Sequence, residues 1–364
     1  MTIIINYRLP MLSRIFHAKS FTSLPSFKET HNDSPLGDKQ RFFVEQQREQ
    51  IKRILLGQDP RLLVIIGPCS IHDPIAALDY ARKLAAIQHE FANTLKIVMR
   101  TYFEKPRTRF GWKGFGIDPD LNGQHNIAKG ITLTRQLLNS ILKLHVPTAT
   151  EFLDPNFAPY LADMVCWGAI GARTTESQPH RQLVSALHCA VGFKNSTNGN
   201  IDHAIDAIHA SRMPQSLIQS NSEGCHVVIH SPGNQYGHLI LRGGDSPNYT
   251  RPHVQAAAFA LKRNDLAAKL IVDFSHGNSQ KTAHNQLNVA SDIAAQIQAG
   301  DDKIVGIMCE SFLQGGQQPS DQRPLNYGQS ITDECLGWQD SVELLRILHR
   351  ACIEKNKRHQ PTIA

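Results

Sequence analysis

The stretch RLLVIIGPCSIHDPIAALDYARKLAAIQHEF, residues 61–91, contains the unit from which the fold is read. Leu62 to Ile66 form an unbroken apolar run with no polar residue to face water, so the run reads as a strand covered on both faces. After Pro74 the pattern changes to apolar residues recurring at helical spacing. Strand followed by helix is the unit of a parallel sheet. The same alternation extends outward in both directions. Further apolar runs begin at Leu95 (LKIVMRTYF), Pro147 (PTATEFLD), Trp167 (WGAIGART) and Ala190 (AVGFKN). Others begin at His238 (HLILRGG), Lys269 (KLIVDFSH) and Lys303 (KIVGIMCES). Helical patterns lie between them: ITLTRQLLNSILKL after Gly130, DHAIDAIHA after Ile201 and ASDIAAQIQAG before Asp301. About eight buried strands with no obvious second domain favour an α/β fold of the (β/α)8 TIM-barrel type over an open doubly wound sheet.

Two regions exceed a minimal barrel. Residues 1–60 read as an N-terminal arm ending in the helix-like QRFFVEQQREQIKRILLG, and the segment near 217–231 (LIQSNSEGCHVVIHSP) reads as inserted short β-strands. The catalytic barrel is placed at residues 61–350 and a C-terminal tail at 351–364. Additions of this kind serve assembly or regulation, or simply cap the barrel.

The 364 residues are 41% hydrophobic and 19% charged, which excludes a disordered chain, and no apolar stretch is long enough to span a bilayer. The formal charge of +6 raises the question of nucleic acid. A basic stripe with interleaved aromatics, which nucleic-acid binding would need, is absent outside the rim where the strands end. Four basic residues and no acid fall in the first 28 residues (Arg8, Arg14, Lys19 and Lys28). That segment weakly imitates a mitochondrial presequence, but the favoured reading is an arm packing on a neighbouring subunit of a homodimer or homotetramer. Seven cysteines, an odd number with no CxxC pair, are read mainly as small core residues in a reducing, cytoplasmic setting.

Position gives the reactive residues their meaning. Nearly every apolar run ends in, or just before, a residue able to bind metal or phosphate, at the end of the strand where a barrel keeps its active site. Arg100, Lys105, Arg107, Arg173, Lys194 and Arg242 would bring six cations to one mouth, where an anionic ligand would have to balance them. Without those six and the four of the arm, acids outnumber bases. A second set is Cys69, His276 and Glu310, with Asp333 just past the last strand. A thiolate, an imidazole and two carboxylates suit a divalent Mn, Fe, Co or Zn ion better than Mg or Ca, and the spacing is not that of a structural zinc site. An ion so held, beside a phosphate site, suits Lewis-acid polarisation of a carbonyl.

The blocks IIGPCSIHDP, VMRTYFEKPRTRFGWKG, GAIGARTTESQ, VGFKN, ILRGGDSPNY, DFSHGNSQK and YGQSITD, in that order from about Asp59 to about Trp338, resemble the type I 3-deoxy-D-arabino-heptulosonate 7-phosphate (DAHP) synthases. The resemblance implies condensation of phosphoenolpyruvate with erythrose 4-phosphate at the head of the shikimate pathway. It implies metal ligation by Cys69, His276, Glu310 and Asp333, and capture of phosphoenolpyruvate by Arg100, Arg173, Lys194 and Arg242. Arg107 and Thr108 would receive the phosphate of erythrose 4-phosphate, Lys105 would serve the aldehyde oxygen, and Glu151 is the candidate for handling water. The chain departs from the family in the loop Lys194 to Gly199, KNSTNG, and in Phe115-Gly116-Ile117 after GWKG.

The resemblance also implies feedback by an aromatic amino acid. DPDLNG and VPTATEFLD look most like the tryptophan-sensitive form. Residues 153–159, 188 and 217–225 are the expected effector neighbourhood, where His188, Leu217 and Gln219 give no clean assignment and an insensitive enzyme is the alternative. The rival activities are an octulosonate 8-phosphate synthase acting on arabinose 5-phosphate, and a non-catalytic effector-binding barrel. The KPRT block and the long N-terminal extension argue against the first, and the intact ligand set with Lys105 against the second.

Overall fold

The chain is described from a computed structural model, which covers residues 15–18, 20–107, 109 and 111–359. Thr108, Arg8, Arg14 and Lys19 lie outside the described residues.

Each of the eight apolar runs forms one strand of a closed parallel barrel. Before the barrel come α1 (Phe27–Asp33) and α2 (Asp38–Leu55). Then follow β1 (Leu62–Gly67), α3 (Pro74–Ile87), β2 (Leu95–Arg100), α4 (Ile127–Lys143), β3 (Thr148–Glu151), β4 (Trp167–Ile170), α5 (Gln178–Ala186), β5 (Ala190–Lys194) and α6 (Asp202–Arg212). An antiparallel hairpin, β6 (Gln215–Ser220) and β7 (His226–Ser231), precedes β8 (Gly237–Leu241), α7 (Arg251–Arg263), β9 (Leu270–Asp273), α8 (Asn285–Gln298), β10 (Ile304–Glu310) and α9 (Trp338–His359). The closed order is β1-β10-β9-β8-β5-β4-β3-β2. Helix α9 runs past residue 350, into the segment read from sequence as a tail.

The runs do not alternate because the barrel leaves no strand face in water: Leu63, Val64, Ile65 and Ile66 are each fully buried. Inside, Gly192 makes room for a neighbour, since a Cβ there would stand 2.4 Å from Ile240 Cδ1. Trp167 Nε1 donates to His238 Nε2 at 3.2 Å in the barrel interior, and burial holds the His238 imidazole down at about 4. Helix α3 starts where the sequence changes character, because Asp73 accepts from the backbone N–H of Ile75 and Ala76 with Pro74 in the first turn.

Helix α2 covers the barrel at the ends where strands begin. Arg48 Nη2 donates to the carbonyls of Ala162 and Val165 at 2.6 and 2.9 Å, and Lys96 near the start of β2 bonds Gln50 Oε1 at 2.8 Å. The opposite mouth is therefore left to the loops after the strands. The segment before α2 turns towards the hairpin: the Lys28 N–H donates to Ser222 O at 3.0 Å, and Lys28 Nζ pairs with Glu223 at 3.1 Å.

Candidate active site

The ends of β1, β2, β5, β9 and β10 bring charged side chains to one place, and at the bottom of it each finds an opposite charge. Arg100 closes β2 fully buried, yet stays charged because its surroundings are built for a guanidinium. Its Nη2 donates to Glu310 Oε1 at 2.9 Å and to Cys69 O at 3.2 Å, its Nε donates to Pro68 O at 3.1 Å, and its plane lies 3.5 Å from the centroid of Tyr102. Against the cost of burial, Tyr102 and Glu310 raise its affinity for the proton. Lys194, at the end of β5, is buried 3.2 Å from Asp273 Oδ2. The same carboxylate oxygen is 2.9 Å from His276 Nδ1. Despite full burial, His276 and Lys194 hold Asp273 well below the usual carboxylate range.

Cys69, Glu310 and Asp333 offer ligand atoms that all lie within 4.8 Å of one another. The loop after β10 returns Asp333 to the end of β1, where its backbone N–H donates to Cys69 Sγ at 3.4 Å. Lys105 Nζ sits 2.9 Å from Cys69 Sγ and 3.7 Å from Asp333 Oδ2. Burial pushes the Cys69 thiol up to about 12, with Glu310 adding to the shift and Lys105 opposing it. Burial also pushes Asp333 upward, but Lys105 and His276 outweigh it and hold that carboxyl at about 2. A soft sulfur and two carboxylates, with Cys69 and Glu310 buried and half-buried Asp333 facing the cavity, fit a borderline divalent cation. His276 stands outside this trio and approaches it through Glu310, its Nε2 being 3.7 Å from Glu310 Oε1. Three of the four sequence-derived ligands thus converge directly and the fourth faces them.

Above this floor opens a cavity of about 260 Å³ lined by all six cations named from the sequence, together with Glu151, Thr197, His276, Lys281 and Asp333. Glu151 ends β3 buried, and Gly171 leaves the space for it: a Cβ at Gly171 would stand 2.6 Å from Glu151 Oε1. The cations of the mouth differ from those of the floor. Arg107 donates its Nε to the carbonyl of Trp112 at 2.9 Å, and Arg242 its Nη1 to Gly243 O at 3.3 Å. Among the described residues, Arg107, Arg173, Arg242 and Lys281 have no acidic partner at ion-pair distance. Burial lowers the proton affinity of Arg242, with the charge of Arg173 working in the same direction and Asp273 against it. Unneutralised guanidinium groups around a concave site select phosphate and carboxylate.

Sequence reading missed two residues of this site. Asp273 was hidden as the last residue of an apolar strand, and an acid at the end of KLIVD was the available signal. Lys281 lay inside a quoted block, but its aim into the cavity depends on a left-handed backbone, φ +62°, that spacing does not reveal.

The sequence profile described as the DAHP synthetase I family matches residues 26–346. The phospho-2-dehydro-3-deoxyheptonate aldolase, Trp-sensitive, of Enterobacter agglomerans is 49% identical over 334 residues, covering 91% of this chain and 95% of that protein. The protein of the same name from Escherichia coli strain K12 is 52% identical over 309 residues, covering 85% and 89%. The structure of phospho-2-dehydro-3-deoxyheptonate aldolase from Francisella tularensis SCHU S4 superposes with a TM-score of 0.91 at 43% identity, covering 93% of this chain and 99% of that one.

Proposed function

Because the chain belongs to the DAHP synthetase I family, we propose that the cavity at the mouth of its barrel is where phosphoenolpyruvate and D-erythrose 4-phosphate are joined. The chain is a DAHP synthase. It condenses those two substrates with water to 3-deoxy-D-arabino-heptulosonate 7-phosphate and phosphate, the first step of the shikimate pathway, under feedback by an aromatic amino acid. The observation that carries the placement is the ring of mouth cations without acidic partners above a buried thiol and carboxylate cluster.

We assign the phosphate and carboxylate of phosphoenolpyruvate to Arg173, Lys194 and Arg242, with Arg100 reaching the cavity from below. Arg107 and Thr108 take the phosphate of erythrose 4-phosphate. Cys69, Glu310 and Asp333, with His276 facing them, would hold a divalent ion of the Mn, Fe, Co or Zn class, which would supply Lewis-acid polarisation of the aldehyde when bound. Lys105 stands beside the same cluster and gives a proton to the aldehyde oxygen as C3 of phosphoenolpyruvate bonds to the aldehyde carbon. Positive charge develops at C2, and Glu151 takes a proton from the water that adds there. The C2–O bond to phosphate then breaks as the new C2 hydroxyl gives up its proton and becomes the keto oxygen, and phosphate departs among the cations that held it. Holding both substrates in register contributes up to ~7–11 kcal/mol to the rate.

We assign the effector as tryptophan, following the name its relatives carry, and the receptor to the region where the arm, the hairpin and the loop after β3 meet. Gln219 Nε2 donates to Pro155 O at 2.9 Å there, and His188 faces a neighbouring cavity of about 590 Å³. Ile218 and Val228, paired across the hairpin, are 76% and 58% exposed, a face we assign to contact between copies in a homodimer or homotetramer. No helix among the described residues is long and apolar enough to cross a membrane, and we place the enzyme in the cytoplasm, where its seven free cysteines suit a reducing medium.

Phosphate release from the two substrates, with and without a chelator and with each aromatic amino acid, tests the reaction, the metal and the effector. Loss of release with chelator and inhibition by tryptophan are expected. Use of arabinose 5-phosphate in place of erythrose 4-phosphate would refute the substrate assignment.

A further inference from the structure

The loop after β9 carries an unusual backbone. His276, Gln280 and Lys281 have φ values of +57°, +53° and +62°, so three residues with side chains occupy the left-handed region within six positions. The turn is fixed from outside. Buried Asn278 donates its Nδ2 to Asp273 O at 2.8 Å and to Leu241 O at 3.2 Å, the Gly277 N–H donates to Arg242 O at 3.1 Å, and the Lys281 N–H returns to His276 O at 2.8 Å. Nothing in that backbone calls for lysine, since glycine or asparagine adopts the conformation at lower cost. The side chain must supply the reason. It is exposed, lines the cavity and has no acidic partner at ion-pair distance among the described residues. Its charge is felt by Asp333, and its loop is built directly onto the turn of Arg242.

We propose that Lys281 is a further phosphate-binding residue of the reaction, completing the cation ring of the mouth from the β9 loop. The inference rests on the function proposed above. An ammonium on a flexible stem suits a phosphate that must enter, and another that must leave, better than a locked guanidinium pair does. Two substrates carry phosphate, and the chemistry is shared between them.

Steady-state kinetics of the metal-loaded enzyme test it with two variants. Lys281→Asn removes the charge and keeps a residue that tolerates the left-handed turn; Lys281→Arg keeps the charge. In the Asn variant one KM is expected to rise roughly ten-fold, the low end for a charge-assisted contact, with kcat much less affected. The Arg variant is expected to recover most of that rise. If the phosphoenolpyruvate KM rises and product inhibition by inorganic phosphate weakens with it, the residue serves the departing phosphate. If only the erythrose 4-phosphate KM rises, it serves the aldehyde substrate. Two unchanged KM values overturn the proposal, as does loss of bound metal with both KM values unchanged, which would assign Lys281 to support of Asp333. Wild-type enzyme run alongside separates the failures: no phosphate release from it refutes the function, whereas normal release with silent variants refutes only this residue.

Discussion

The floor and the mouth of the cavity are both rich in charge, yet they are built on opposite rules. On the floor, Arg100 meets Glu310 at 2.9 Å and Lys194 meets Asp273 at 3.2 Å, all four buried. At the mouth, Arg107, Arg173, Arg242 and Lys281 line the same cavity with no acidic partner among the described residues. A buried ion without a partner costs several kcal/mol, so the floor has to be neutral before any substrate arrives. Exposed cations such as Arg107, Arg173 and Lys281 keep their water and can remain unpaired until a phosphate displaces it, whereas half-buried Arg242 bears the cost as a lowered proton affinity. The floor pairs therefore set geometry and folding while presenting Arg100 and Lys194 to the substrate from below, and the unpaired mouth residues add affinity.

The largest break in that division is expected at Cys69. Cys69→Ala removes the sulfur on which Lys105 and Asp333 converge, and should abolish phosphate release and metal retention while circular dichroism stays native. A loss of several kcal/mol in transition-state stabilisation corresponds to about a thousand-fold or more in rate. Full activity in this variant would refute the ligand set. The next comparison sets Arg100→Met against Arg173→Met. The first leaves Glu310 buried and uncompensated and should cost about 3–5 kcal/mol in denaturant unfolding. The second should change stability by no more than about 0.5 kcal/mol and raise the KM for phosphoenolpyruvate roughly ten-fold. Equal destabilisation by the two would erase the distinction between floor and mouth.

That distinction was only half visible in the sequence. The eight strands were legible because a barrel strand buried on both faces needs no alternation, and runs such as LLVII admit few other readings. The convergence of six cations was legible because strand ends share one rim. Their pairing was not. Arg100 and Glu310 are 210 residues apart, and no local pattern says that this arginine is occupied by a carboxylate while Arg173 is not. Asp273 escaped notice for the same reason, being recognisable as a counter-ion only once Lys194 and His276 are seen on either side of it. In the hairpin, Ile218 and Val228 point outward, so an apolar pair there says nothing about a core.

Burial can also set protonation where no charge is near, and His238 isolates that effect. Burial holds its imidazole at about 4, against an ordinary value near 6.5, so the folded chain keeps it neutral. Between those values the unfolded chain binds more protons, and stability should rise with pH through that window. The contribution is fully present above about 6.5 and lost as pH falls towards 4, on the order of 3 kcal/mol. His238→Gln keeps an acceptor for Trp167 and should flatten the slope of unfolding free energy against pH. An unchanged slope would assign the acid sensitivity to the paired carboxylates of the floor instead.

The smallest effect on turnover is expected furthest from both regions, in the arm. Deleting residues 1–28 removes Lys28, whose N–H and ammonium reach Ser222 and Glu223, and Pro25, whose carbonyl accepts from Tyr160 Oη at 2.9 Å. None of these atoms lines the catalytic cavity, and the exposed ion pair contributes little to stability. Floor and mouth should therefore keep their geometry, with kcat and both KM values close to those of the full chain. The hairpin tip and the loop after β3 would lose a shared support, so inhibition by an aromatic amino acid and the oligomeric state in sedimentation should change instead. Unchanged inhibition and unchanged assembly would remove the arm from regulation altogether. A fall in kcat with intact inhibition would show that the mouth depends on contacts well outside its own rim, and the division between floor and mouth would then have to include the arm.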